Sequence, residues 1–303
     1  MELGMIGLGK MGAYMTERLV KGGHKVTGFD PNADARKAVE AKGAGSADSL
    51  QALVKALPTP RAVWLMVPSG KVTDDTVNAL LPLLAKGDTV IDGGNSNYKD
   101  TVRRAKLYAD NDLGYVDCGT SGGVWGLKEG YSMMVGGDEK TVDALKPIFE
   151  TLAPAKDQGW GRVGPVGSGH FTKMVHNGIE YGLMQAYAEG FSILQHKQEF
   201  GLDLKQIGEI WRYGSVVRSW LLDLTTDALG KNPKMDGIAP YVVDSGEGRW
   251  TVDEAIDLNV PAPIITASLI ERLRSRDTES FSDKLLAAMR NEFGGHEIKS
   301  EAK

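Results

Sequence analysis

Apolar positions fall in short runs parted by turn residues in the first half of the chain, and at helical spacing through most of the second half. Glu2 to Gly7 reads as a short strand that ends in glycine. From Lys10 to Lys21, the residues Met11, Met15, Leu19 and Val20 recur on one helical face. Lys25 to Asp30 is a second strand and Asn32 to Lys42 a second helix. Arg61 to Val67 is an apolar strand closed by Pro68, Ser69 and Gly70, with a helix over Val72 to Ala85. Thr89 to Asp92 reads as strand and Asn97 to Ala109 as helix, and Gly114 to Cys118 and Ser132 to Val135 are further strands. This alternation predicts a mostly parallel, doubly wound sheet.

Between Gly159 and Gly169 the pattern changes, because five glycines and Pro165 crowd one short stretch. Beyond it helical spacing dominates: His170 to Gln195 without a proline, then Asp203 to Trp211, Val216 to Leu229, Val252 to Leu258, Pro263 to Arg274 and Ser282 to Asn291. The expectation is an α/β Rossmann-like domain over residues 1–165 followed by an all-α domain over 166–303. The charged tail from Glu297 to Lys303 is expected to fray.

Composition narrows the function classes. A formal net charge of -5 argues against broad nucleic-acid binding, though not against a local basic pocket for a small anion. The apolar runs are too short to span a bilayer, and no leader pattern precedes the first strand, so a cytoplasmic location is the default expectation. Cys118 is the only cysteine, which rules out an intrachain disulfide. At a strand end it reads as a small buried apolar residue rather than a catalytic thiol.

Gly7-Leu8-Gly9-Lys10-Met11-Gly12 is a G-x-G-x-x-G set between the first strand and the first helix. In that context it predicts a dinucleotide site. Gly7 permits the tight turn, Gly9 lets backbone approach a pyrophosphate, and Gly12 lets the helix pack on the strand. The helix N-terminus offers N–H groups and partial positive charge to the phosphates. Asp30 closes the second strand about 20 residues on, where a carboxylate accepts from the ribose hydroxyls of NAD and repels the 2′-phosphate of NADP. It could instead cap the following helix, and the two roles can coexist. NAD is therefore expected over NADP, with Arg36 on the next helix read as solvated.

Lys173, His176, Asn177 and Glu180 share one helical face. Lys173 and Glu180 stand two turns, roughly 10 Å, apart along the axis, which suits a base and an acid that bracket a small substrate. A solvated polar stripe has the same spacing. The apolar flanks Met174, Val175, Ile179, Tyr181 and Leu183, and the position just after a nucleotide-binding domain, favour a site.

Gly169-His170-Phe171, Lys173-Met174-Val175-His176-Asn177-Gly178-Ile179-Glu180-Tyr181-Gly182, Asp92-Gly93-Gly94-Asn95-Ser96 and Ser121-Gly122-Gly123 resemble motifs of the 6-phosphogluconate dehydrogenase family. So do Ser245 to Thr251, and Arg290 followed by Phe293-Gly294-Gly295-His296. The likeness covers nearly the whole chain, and its length resembles the short bacterial subgroup. It implies metal-independent oxidative decarboxylation of 6-phosphogluconate to ribulose 5-phosphate and CO₂, with Lys173, Glu180, Asn177 and His176 as the catalytic set. Lys173 would take the hydroxyl proton in its uncharged form, and Glu180 would protonate the enediol. Asn95, Ser121, Gly122, Gly123, His176 and Asn177 would hold carboxylate and hydroxyls; Tyr181 and Arg272 would hold phosphate. Val67 and Asn95 would join the glycine loop around the cofactor. Arg290 and His296 resemble residues that the family donates from a partner subunit, which implies a homodimer or higher oligomer with shared sites.

One departure is Ser245, where long-chain members carry a phosphate-binding lysine, so phosphate recognition is expected to be weaker or rebuilt. Two competing readings remain. A β-hydroxyacid dehydrogenase for a non-phosphorylated short acid would share the first domain and the lysine but would not need Glu180. A dinucleotide-sensing protein would need neither base nor acid.

Overall fold

The computed structural model describes residues 1–299, the side chain of Phe293 excepted. The expected fraying beyond 299 lies outside the described residues. The chain forms two compact units, Met1–Asn177 and the helical remainder from Gly178.

In the first unit, β1 (Glu2–Ile6), α1 (Lys10–Lys21), β2 (Lys25–Phe29), α2 (Ala33–Glu40), β3 (Gly45–Ala47) and α3 (Leu50–Ala56) come first. They are followed by β4 (Ala62–Leu65), α4 (Lys71–Leu80), β5 (Thr89–Asp92), α5 (Tyr98–Ala109) and β6 (Gly114–Ser121). Then come α6 (Gly126–Glu129), β7 (Ser132–Gly136), α7 (Glu139–Leu152), β8 (Trp160–Gly164) and the long α8 (Ser168–His196). The sheet order is β3-β2-β1-β4-β5-β6-β7-β8. All neighbours pair in parallel except β6 with β7. Reversal of strand order beside β1 leaves a crevice at the carboxyl ends of β1 and β4, the usual ligand position in such sheets.

The central strands are apolar on both faces because helices cover both. In β4, Trp64 packs into one core with Leu3, Met5 and Phe149, while Val63 and Leu65 face a second core with Ile6, Val90 and Tyr108. Successive residues thus serve opposite layers.

The second unit takes the rest of α8 and adds α9 (Leu204–Trp211), α10 (Trp220–Lys231), α11 (Glu247–Asp257), α12 (Pro263–Arg274) and α13 (Phe281–Gly294). The α/β-then-helical order matches the sequence expectation. Several elements differ in detail. β3 and α3 occupy a stretch with no expected element; α3 starts where Ser49 accepts the Ala52 N–H. α7 was hidden by Pro147, which sits inside it and reads as a break. The glycine-rich stretch contains β8, an edge strand whose glycines mimic a loop. α4 ends at Leu80 and passes into a 3₁₀ turn, rather than running to Ala85. α10 starts at Trp220, where Ser219 caps it, rather than at Val216. α11 starts at Glu247, well before Val252.

Candidate active site

The glycine loop is shaped by backbone geometry. Gly7 has φ +89°, and a Cβ there would lie 2.4 Å from the Met66 carbonyl oxygen. At Gly12 a Cβ would lie 1.9 Å from the Gly7 carbonyl oxygen, so α1 packs at a distance only glycine allows. Gly9 opens onto space that a Cβ would not fill. It is also the N-cap of α1, and no side chain caps the helix there. The first-turn amides of Lys10 and Met11 therefore face an exposed lip, a cradle that fits a pyrophosphate.

Asp30 supports this loop directly: Oδ2 accepts the Leu8 N–H at 2.8 Å and Oδ1 the Asn32 N–H at 2.8 Å. The α2 cap is Asn32, whose side chain accepts from Asp34 N–H. Arg36, expected to be solvated, donates to the carbonyls of Asp30 at 2.6 Å and Pro31 at 3.3 Å. A ribose at the carboxyl end of β2 would meet a carboxylate already anchored to the loop, so the residues present fit NAD.

Val67 lies half-buried in the loop after β4, and Asn95 is exposed after β5. Ser121 ends β6, and Gly122 (φ +127°) and Gly123 (φ +50°) turn the chain into a short 3₁₀ segment.

Lys173 is positioned by Asp117 and Gly119, which the sequence reading did not single out, together with Gly169, which it did. Asp117, buried in β6, accepts the Gly167 N–H on Oδ1 at 2.6 Å and the His170 N–H on Oδ2 at 2.8 Å. It thereby fixes the start of α8 on the sheet, and a carboxylate favours a helix N-terminus. A carboxylate amid the apolar run of β6 was the available signal. Gly169 permits the close approach, since a Cβ there would lie 2.4 Å from the Met134 carbonyl oxygen. Gly119 leaves room for the lysine stem: a Cβ would sit 2.4 Å from Cβ of Lys173. Lys173 is only 7% exposed and donates from Nζ to Asn177 Oδ1 at 2.5 Å. His176 Nδ1 lies 3.0 Å from the same oxygen. Glu180 is half-buried two turns along α8. Cys118 is fully buried, and burial pushes its thiol up to about 12, so it is no nucleophile.

Gly119→Ala should therefore lower Tm by several degrees, from about 1–3 kcal/mol of overpacking, and cut kcat about a hundredfold by displacing Lys173. Calorimetry and steady-state rates check both; an unchanged kcat would show that the β6–α8 contact does not set the amine position.

In the second unit, Tyr181 is buried, and its hydroxyl accepts the Ser245 N–H at 3.1 Å and lies 3.3 Å from Ser245 Oγ. A Cβ on Gly248 would collide with its ring at 2.5 Å. The Arg272 guanidinium lies 3.5 Å over that ring and donates to the Val243 carbonyl at 3.0 Å. Next to Ser245, Asp244 is paired with Arg249 at 3.1 Å and Arg276 at 2.6 Å. The hydrogen bond from Arg249, helped by Arg276, holds its carboxyl below the usual range despite partial burial. Arginines thus gather next to Ser245, where the resemblance leads to the expectation of a lysine. Arg290 on α13 and His296 beyond it are exposed, and Asn291 donates to the His296 carbonyl at 2.8 Å.

Two family descriptions match. Residues 2–161 match the NAD binding domain of 6-phosphogluconate dehydrogenase, and residues 169–301 match the C-terminal domain of 6-phosphogluconate dehydrogenase. A protein of Haloferax volcanii, named as an NAD(+)-dependent, decarboxylating 6-phosphogluconate dehydrogenase, is 44% identical over 299 residues, covering 98% of both chains. A solved 6-phosphogluconate dehydrogenase of Plasmodium falciparum superposes with a TM-score of 0.84 at 29% identity, over 99% of this chain and 66% of that longer one. A 3-hydroxyisobutyrate dehydrogenase of Mycobacterium tuberculosis shares the fold, with a TM-score of 0.73 at 23% identity over 91% of this chain.

Proposed function

The chain belongs to the 6-phosphogluconate dehydrogenase family, and from that premise we propose that it catalyses NAD-dependent oxidative decarboxylation of 6-phosphogluconate, with residues 1–165 as the dinucleotide-binding domain and 166–303 as the helical substrate domain. The buried Lys173–Asn177 pair at the start of α8 carries this assignment.

Bound NAD supplies the hydride acceptor. The first-turn amides of α1 hold its pyrophosphate, Asp30 takes the adenosine ribose, and Val67 and Asn95 line the nicotinamide end. Lys173 removes the C3 hydroxyl proton as hydride leaves C3, and Asn177 fixes the amine through its carbonyl oxygen. The resulting 3-keto acid loses C1 as CO₂; the C1–C2 bonding pair moves to C2=C3 and the carbonyl oxygen takes a proton from Lys173. Glu180 then donates a proton to the carbon that becomes C1 of ribulose 5-phosphate. Asn95, Ser121, Gly122, Gly123, His176 and Asn177 hold carboxylate and hydroxyls. Tyr181 and Arg272 bind the phosphate, with Arg249 and Arg276 supplying positive charge near Ser245.

The working form in this proposal is a dimer or higher oligomer in which Arg290 and His296 serve the site of a second copy. The second unit supports it with large exposed apolar side chains, among them Ile193, Val216 (99% exposed), Ile264 and Phe281, far more than a monomer surface favours. Among the described residues, no helix is long and apolar enough to cross a membrane.

NADH formation at saturating 6-phosphogluconate tests the cofactor assignment. The expected kcat/KM is at least tenfold higher with NAD than with NADP, about 1.4 kcal/mol or more of discrimination. Asp30→Asn should shrink that ratio by about tenfold, because the amide keeps an acceptor and loses the charge that repels a 2′-phosphate. Equal use of both cofactors by the unaltered enzyme would contradict it.

A further inference from the structure

The side chain of Arg104 on α5 is only 1% exposed, and its whole guanidinium fork is spent at the start of α4, the end of β5 and the loops that adjoin them. Nε donates to Asp74 Oδ1 at 2.8 Å and Nη2 to the Gly70 carbonyl at 3.3 Å. Gly70 ends the loop that carries Val67 and is the N-cap of α4, with φ +81°. Nη1 reaches Ser96 Oγ at 3.2 Å, on the loop that carries Asn95, and Asp92 Oδ2 at 3.4 Å, at the end of β5 where that loop begins. Asp92 is itself buried. It accepts the Gly94 N–H at 3.2 Å, the Ser96 hydroxyl at 2.9 Å and the Tyr115 hydroxyl at 3.1 Å. Burial, with Asp92 beside it, pushes the Tyr115 phenol well above its ordinary value, so it remains a donor. The loops also touch directly, since a Cβ on Gly94 would lie 3.0 Å from the Val67 carbonyl oxygen.

We infer that Arg104 is a positioning residue: its buried fork ties the Val67 loop to the Asn95 loop, so that the cofactor-side and substrate-side contacts are set as one unit. A planar five-donor group can bridge two carboxylates, a hydroxyl and a carbonyl at once, whereas an ammonium cannot. Burying such a cation is costly unless every partner is kept, which is a reason for the two loops to stay in one arrangement. The inference rests on the proposed roles of Val67 and Asn95.

The test is a double-mutant cycle of Val67→Ala and Asn95→Ala, read in NAD affinity and in kcat/KM for 6-phosphogluconate, in the unaltered chain and again with Arg104→Lys. In the unaltered chain the two changes should be non-additive by about tenfold. With Arg104→Lys the coupling should fall to near onefold, NAD affinity should drop about tenfold, and circular dichroism should remain native. Ser96→Ala, which removes one tie only, gives the same measurement if the lysine variant does not fold, and should lower the coupling partway. Coupling that persists unchanged in Arg104→Lys or Ser96→Ala overturns the inference while leaving the proposed function intact. If Val67→Ala and Asn95→Ala singly change neither affinity nor rate, the assigned roles of those loops fail, and this inference falls with them.

Discussion

Lys173→Met should lower kcat by about four orders of magnitude while NAD affinity stays within about twofold, because only the transition-state proton transfer is lost. Methionine is close to the lysine stem in volume and suits a buried position against Gly119, so Tm should hold or rise slightly. A rapid-mix experiment should show no NADH in the first turnover. A variant that retains kcat would remove the buried amine from the chemistry.

Glu180→Gln should behave differently, since its step follows oxidation. The first turnover should release one equivalent of NADH at nearly the unaltered rate, and steady-state turnover should then fall by about 10²- to 10³-fold as the enediol waits for a proton. Stopped-flow absorbance at 340 nm resolves the two phases. An enzyme that merely oxidised a hydroxy acid would show an unaltered steady state, because no carbon needs that proton. The same result would therefore tell against decarboxylation.

The frame of these predictions was legible in the sequence to the extent that local pattern specified it. The glycine motif placed α1 to the residue, because glycine spacing, helix start and strand end are all local signals. The face of Lys173, His176, Asn177 and Glu180 followed from helical spacing, and the structure puts the first three in one hydrogen-bonded group. What the sequence hid is long-range. Asp117 falls inside the run from Gly114 to Cys118 that reads simply as strand, although it accepts from the amide of Gly167 at the start of a helix 50 residues later in the chain. Asp30 was weighed between ribose and helix cap; the structure gives it the Leu8 and Asn32 amides, and gives the cap to Asn32. Arg104 sits in a stretch that the sequence marks only as helix, yet its charge is buried among groups at the start of α4 and the end of β5 that only the sheet brings together. Ser245 was a missing lysine in sequence, while in space it is a hydrogen-bond partner of Tyr181 beside two arginines gathered by Asp244.

The most direct test is a simultaneous count of NADH and CO₂ from the unaltered enzyme supplied with NAD and 6-phosphogluconate. One CO₂ per NADH throughout the progress curve is the predicted result. NADH without CO₂, or no NADH at any enzyme concentration, would contradict it.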